Sequence, residues 1–203
     1  KFVIQGSASE VKVNTIARID HNPASGIART SKEIMSDIVI IGWPRKTGFL
    51  DKIFGENVDS IINNVDKYLF ICRFVKPFVD EKRLVFICPP FSEREIGFPL
   101  LIQKVARLAQ ELSIPVIIYS EYKTHQSILQ IVNNLKLSTK MGFKSILEWD
   151  EFASITDDIR PLDLIVFNLA RKGSVSYKST FDRLPQKIEK VFAQNNLILL
   201  YSL

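Results

Sequence analysis

The residues best placed to do chemistry lie in the loop after the apolar run Ile38-Val39-Ile40-Ile41. Gly42 ends that run, and Arg45, Lys46, Gly48 and Gly55 follow before a helix opens near Asn57. Cations, backbone amides freed by glycine and a helix N-terminus together suit a phosphate. The same composition also suits a solvated strand-to-helix loop with ordinary Lys/Arg decoration. Two other places qualify by position: the loop after Asn168, with Arg171, Lys172 and Gly173, and the turn Pro89-Pro90. Open parallel sheets bind ligands outside the carboxyl ends of their strands, and each of these places follows a strand-like run.

Other chemistries find less support. No Gly-x-Ser-x-Gly turn, Gly-x-Gly-x-x-Gly loop or Walker-type lysine loop occurs. His21 and His125 stand far apart in sequence and without Cys partners, so no zinc site is expected. Cys72 and Cys88 each sit inside an apolar run and read as reduced core thiols. Asp157-Asp158 reads as a solvated helix end rather than an acid/base pair. Phe152, Phe181 and Phe192 read as core, while Trp43 and Trp149 near strand ends suit either a structural lid or a partner contact. No catalytic residue and no metal ligand is singled out, and an enzyme is not expected.

The chain has 203 residues, 46% apolar and 24% charged, with a net charge of +5. That composition is globular, not disordered. The positive charge is spread along the chain with no basic stripe, which argues against a nucleic-acid partner. No apolar run approaches the ~18–20 residues of a membrane span. The chain opens at Lys1 with no Met and no leader-like segment, and it reads as a piece of a longer polypeptide.

Several elements must position these loops. Asp37-Ile38-Val39-Ile40-Ile41-Gly42, then Arg45-Lys46, reappears 126 residues later as Asp163-Leu164-Ile165-Val166-Phe167-Asn168, then Arg171-Lys172. Both stretches continue through a helix to a closing apolar strand, at Leu69 and at Leu197. We read this as a repeat. The second copy spans strands at 83–88, 116–119, 143–147, 164 onward and 197 onward. Its helices follow Pro99, Thr124 (as a cap), Glu151 and Arg183. The first copy is shorter: a strand at 11–19, a helix capped by Asn22-Pro23, the Asp37 strand, a helix at 58–64 and the Leu69 strand. About 44 residues, a strand–helix–strand, have no counterpart in it. Alternating strands and helices predict a doubly wound α/β fold with a parallel sheet. The two closing strands are expected at sheet edges, where copies or chains could pair.

At this point the sequence resembles a known family. The stretch DIVIIGWPRKTGFLDKIFGENVDSIINNVDKYLFIC is similar to the last third of a universal stress protein domain. Gly42 matches the first glycine of that family's nucleotide loop and Gly55 the third. His21-Asn22-Pro23-Ala24 stands where the family has a Gly-Asp-Pro-Ala stretch. Arg45 occupies the place of the second glycine, and Glu56 that of a phosphate-binding Ser or Thr. In the second copy Asn168 and Arg171 replace both early glycines, and Pro89 or Pro90 the family's aspartate.

The resemblance implies two tandem universal-stress-protein-like (adenine nucleotide alpha hydrolase-like) doubly wound parallel sheets. Their bounds are 1–75 (N-terminally incomplete), a linker at 76–82, and 83–203 (degenerate). It implies ATP or AMP as ligand, at Gly42, Arg45, Lys46, Gly48, Gly55 and Asn57, with Arg45 as an alternative contact for another anion. A tandem, motif-degraded pair resembles the cytoplasmic tail of bacterial sodium or potassium/proton antiporters. That implies an upstream membrane transporter domain as partner, a homodimer, and a location at the cytoplasmic face of the inner membrane. A free-standing tandem universal stress protein and an adenine-nucleotide hydrolase are the competing readings.

Overall fold

The computed structural model describes residues 11–43, 56–135, 139–146 and 155–203, and the side chains of Glu56 and Asn57 are not among them. Helix α1 (Pro23–Glu33) begins as its residues dictate: Asn22 accepts a hydrogen bond from the Ser25 amide at 2.8 Å, and Pro23 takes the first helical position. Strand β1 (Ile38–Gly42), helix α2 (Glu56–Asn64) and strand β2 (Tyr68–Arg73) follow. Beyond a short 3-10 turn at Phe78–Asp80 come β3 (Arg83–Ile87), α3 (Phe98–Glu111), β4 (Val116–Ser120), α4 (Tyr122–Asn134) and β5 (Met141–Ser145). Strand β6 (Asp163–Leu169), α5 (Leu184–Val191) and β7 (Leu197–Tyr201) complete the order.

The seven strands of the described residues form one sheet, in the order β1-β2-β7-β6-β3-β4-β5. Every neighbouring pair is parallel except β2 with β7, which are antiparallel. The two closing strands therefore do not lie at the edges of separate sheets. Each would have been an open edge, and pairing them satisfies both rows of backbone groups and merges the strands into one sheet.

Helices cover both faces, which explains why β6 and β7 are buried at every position. One face packs Leu69, Ile71, Ile165, Phe167 and Leu199 against Val58 and Ile61 of α2 and Leu184 and Ile188 of α5. The other packs Leu84, Phe86, Val166 and Leu200 against Leu101, Val105 and Ala109 of α3 and Ile128 of α4.

Three expectations are corrected. Residues 11–19 form no strand; they run irregularly and largely exposed, because no described strand lies beside them to take up their backbone bonds. Thr124 does not cap α4. Glu121 holds the cap position, while Thr124 is buried in the first turn and donates to the Glu93 carboxylate at 2.7 Å. The helix expected from Arg183 starts at Leu184 after a 3-10 turn, Ser179–Arg183, and ends at Val191. The helix expected from Glu151 begins outside the described residues, as do Trp149 and Phe152.

The stretch read as a linker is firmly held. Asn196, fully buried, accepts from the Val75 and Lys76 amides at 2.7 and 3.2 Å and donates to the Lys76 carbonyl and the Glu81 carboxylate at 3.0 and 2.8 Å.

Candidate functional site

Of the predicted nucleotide residues, Gly42 is described in full: it ends β1, is exposed, and a Cβ there would meet nothing within 4 Å. Its backbone therefore lies open to an approaching group. Asn57 stands in the first turn of α2. Arg45, Lys46, Gly48 and Gly55 lie outside the described residues.

The order of strands reverses between β3 and β6, where open sheets bind their ligands. Here that point is filled by the protein itself. Pro89-Pro90 leads into Phe91, at a left-handed φ of 66°, and a 3-10 turn at Ser92–Arg94. Asn168 Nδ2 donates to Ser92 Oγ at 2.9 Å, and Ser92 Oγ donates to the Pro89 carbonyl at 2.8 Å. Glu95 Oε1 accepts from both the amide and the hydroxyl of Ser176 at 2.6 Å. Ser92, Asn168 and Ser176 are all buried. Asn168, one of the residues standing for a family glycine, is thus part of a plug.

Next to it opens a cleft of about 460 Å³ at the carboxyl ends of β6 and β7. Asp59 and Asn63 of α2 form one wall; Arg171, Lys172, Tyr177 and Asp182 approach from the β6 side. Lys172 pairs with Asp182 at 3.3 Å, and the Tyr177 hydroxyl donates to the same carboxylate at 3.1 Å. The hydrogen bond to Asp182 raises the Lys172 pKa, so its ammonium stays charged.

Arg171 is the half-buried cation of this cleft. Its guanidinium donates to three carbonyls: Ile62 at 2.8 Å, Lys67 at 2.7 Å, and Ser202. These belong to the last turn of α2, the approach to β2 and the end of β7. Burial lowers the Arg171 pKa, which an arginine tolerates without losing its charge. Sequence reading missed this role. The arginine in the loop was visible, but its acceptors lie 109, 104 and 31 residues away, the first two on the other side of the antiparallel seam, and carbonyls have no sequence signal.

The thiols are poorly suited to nucleophilic work. Burial pushes Cys72 up to about 11 and Cys88 up to about 12, leaving both neutral at ordinary pH. At Trp43, the Arg73 guanidinium lies 5.5 Å from the ring centroid, and the indole packs on the core, as a lid would.

No family model matches the sequence. The Na(+)/H(+) antiporter NhaS5 of Synechocystis sp. is 22% identical over 197 residues, which cover 90% of this chain and 28% of that protein. The chain thus spans under a third of the curated relative's length. Among solved structures, a universal stress protein from Archaeoglobus fulgidus superposes with a TM-score of 0.58 at 10% identity, covering 98% of this chain and 72% of that one. This chain has a universal stress protein-like fold. A Pseudomonas aeruginosa structure named for the same family gives 0.61 at 7% identity, covering 98% of this chain and 76% of the other. A functionally unknown protein of Pseudomonas aeruginosa gives 0.60 at 9%, covering 99% and 76%. No helix among the described residues is long and apolar enough to cross a membrane.

Proposed function

We propose that this chain is the regulatory or assembly region of a sodium or potassium/proton antiporter, held outside the bilayer at its cytoplasmic face beside a membrane domain of the same polypeptide. The observation that carries this reading is the alignment with the antiporter NhaS5 across 90% of this chain and 28% of that protein. The region is built of two related units, 1–75 and 83–203, joined by 76–82. It acts by binding and by coupling, not by turnover. Arg171, Lys172 and Arg183 line the cleft with Asp59 and Asp182, an excess of one positive charge that supports a small anionic ligand over a cation.

Ion exchange in vesicles tests the reading. The full natural polypeptide and a form lacking these 203 residues would be compared for sodium- and potassium-driven collapse of a proton gradient. A changed ion affinity or pH dependence on deletion is the expected result. A natural polypeptide with no membrane domain, or identical exchange by both forms, would sink it.

The second reading, a free-standing universal stress protein binding adenine nucleotide, draws on the TM-score of 0.61 with a structure of that name. Thermal shifts with ATP, ADP and AMP separate the two readings. A ligand at ~100 times its dissociation constant adds about 2.7 kcal/mol of stability. A shift that Gly55→Val removes, in a protein without a membrane domain, would favour the stress-protein reading.

A further inference from the structure

The crossover from β2 to β3, residues 74–82, runs under the amino ends of β7 and β6. Its Lys82 amide donates to the Leu162 carbonyl at 2.9 Å, and the Lys76 ammonium donates to the Pro161 carbonyl, both just ahead of β6. Asn196, just ahead of β7, holds Val75 and Lys76 through their amides. One buried acid completes this contact. The Glu81 side chain is 0% exposed. Its Oε1 accepts from Asn196 Nδ2 at 2.8 Å and lies 3.8 Å from Lys76 Nζ. Its Oε2 is also buried and has no hydrogen-bond partner among the described residues.

A carboxylate buried with one oxygen unmatched is unfavourable, and a proton on that oxygen removes the charge. The groups that face Glu81 compensate it poorly. From the crossover itself come the exposed Asp80 and Lys76, whose ammonium is shared with the Pro161 carbonyl. From β6 comes Asp163, whose carboxylate is occupied by Arg83 of β3 at 2.6 and 2.9 Å and by the Arg160 amide at 2.7 Å. Those donors are committed to Asp163. From the approach to β7 comes Asn196, a neutral amide. Burial pushes the Glu81 pKa above the ordinary 4.5; Lys76 and the Asn196 bond work against that rise, and the Asp163 and Asp80 charges add to it.

We propose that Glu81 is a proton-binding site that locks the crossover under β7 and β6 when protonated and releases it on losing the proton. The proton sits on Oε2 and leaves to water; no other bond changes. The charged carboxylate then takes water at Oε2, and admitting that water parts Asn196 from the Val75 and Lys76 backbone. An acid whose folded pKa is raised contributes stability that is fully present below its unfolded pKa and lost as pH rises through the folded one. The lock therefore tightens in acid and loosens towards alkali. The segment it releases carries Phe74, Val75 and Val79, already 50, 51 and 81% exposed, so loosening rearranges an apolar surface and leaves the core in place. The inference does not rest on the antiporter reading, since every group in it lies within this chain.

Hydrogen exchange read by mass spectrometry on the natural polypeptide, from about pH 4 to about pH 8, provides the test. Rates across residues 74–82 are divided by the intrinsic rate at each pH. Protection of the Val75 and Lys76 amides should fall at least about tenfold as pH rises, with the β6 amides unchanged. Glu81→Gln keeps the acceptor for Asn196 and puts a donor where the proton sits, so it should hold protection high at every pH. Should that variant fail to fold, Lys76→Met decides: without the ammonium, the fall should move to higher pH. Protection independent of pH in the unaltered protein overturns the proposal, as does a fall at the same pH in Lys76→Met. So does an unchanged pH dependence in Glu81→Gln, or protection lost there at every pH, which would mark an ion pair with Lys76 as the true lock.

Discussion

The Arg171 guanidinium reaches across the antiparallel seam to the Lys67 carbonyl at 2.7 Å, tying the loop after β6 to the start of β2. Arg73 does a related job at the seam's other end, donating to the Phe192 carbonyl and, at 3.3 Å, to that of Asn195. Each arginine takes up carbonyls that a helix end and a strand start leave unsatisfied. The one antiparallel step in the sheet is thus held at both ends by long cationic side chains.

Arg171→Ala should strip partners from Ile62, Lys67 and Ser202 together. Hydrogen bonds to charged groups contribute about 1.5–3 kcal/mol, so a loss of about 2–4 kcal/mol is expected. For a chain of this size that lowers the melting temperature by roughly 5–12 °C. Arg171→Lys should recover less than half, because one ammonium cannot span three acceptors. Thermal unfolding followed by circular dichroism gives the answer; an unchanged midpoint for the alanine variant would remove the clamp.

Gly97 is required where it stands. Its φ is +87°, and a Cβ would fall on the Tyr68 hydroxyl and lie 2.7 Å from Tyr68 Cζ. The same hydroxyl donates to the Gly97 carbonyl at 3.0 Å. Gly97→Ala should cost about 2–4 kcal/mol from left-handed strain plus overpacking. Tyr68→Ala in the same chain should relieve part of that cost, and a double-mutant cycle by urea unfolding measures the coupling. Strictly additive losses would mean that the two positions do not meet.

Asp158 makes stability depend on acid. Its carboxylate accepts from Lys144 at 2.7 Å and from the Tyr119 hydroxyl, with Arg83 3.8 Å away. The Lys144 bond first, then that of Tyr119, holds its pKa below the ordinary 3.8. A carboxylate with a depressed folded pKa contributes stability fully present above its unfolded pKa and lost as pH falls through the folded one. Acid unfolding of Asp158→Asn should therefore start from a lower stability at neutral pH and fall less steeply below about pH 4. Parallel curves for the two proteins would contradict this.

The thiols should be silent in the folded protein. Cys72 and Cys88 are buried, with pKa values pushed up to about 11 and about 12. Iodoacetamide at pH 8 should leave both unmodified in native buffer and alkylate both in denaturant, with mass spectrometry as readout. Native alkylation of Cys88 would mean that the Asn168–Ser92 plug opens readily.

Much of the sheet could be read along the chain because its causes are local. Continuous apolar runs at Leu84 and Leu164 mark strands covered on both faces, and Asn22-Pro23 specifies the start of α1 through its own cap and ring. Residues 11–19 carry a strand-like pattern too, but a pattern cannot form a ladder without a neighbour. Thr124 looked like a cap; burial against Glu93 decided otherwise, and that contact joins residues 31 positions apart.

By itself the sequence determined the alternating order of strands and helices, the apolar faces and the core position of the two thiols. Each follows from side-chain period, local backbone preference or composition. Tertiary structure decided that the two closing strands meet antiparallel inside one sheet, that Asn168 and Ser92 fill the point where the strand order reverses, and that Arg171 binds carbonyls. The reason is physical. Backbone carbonyls and open strand edges are chemically the same at every position, so only their placement in space selects which are joined.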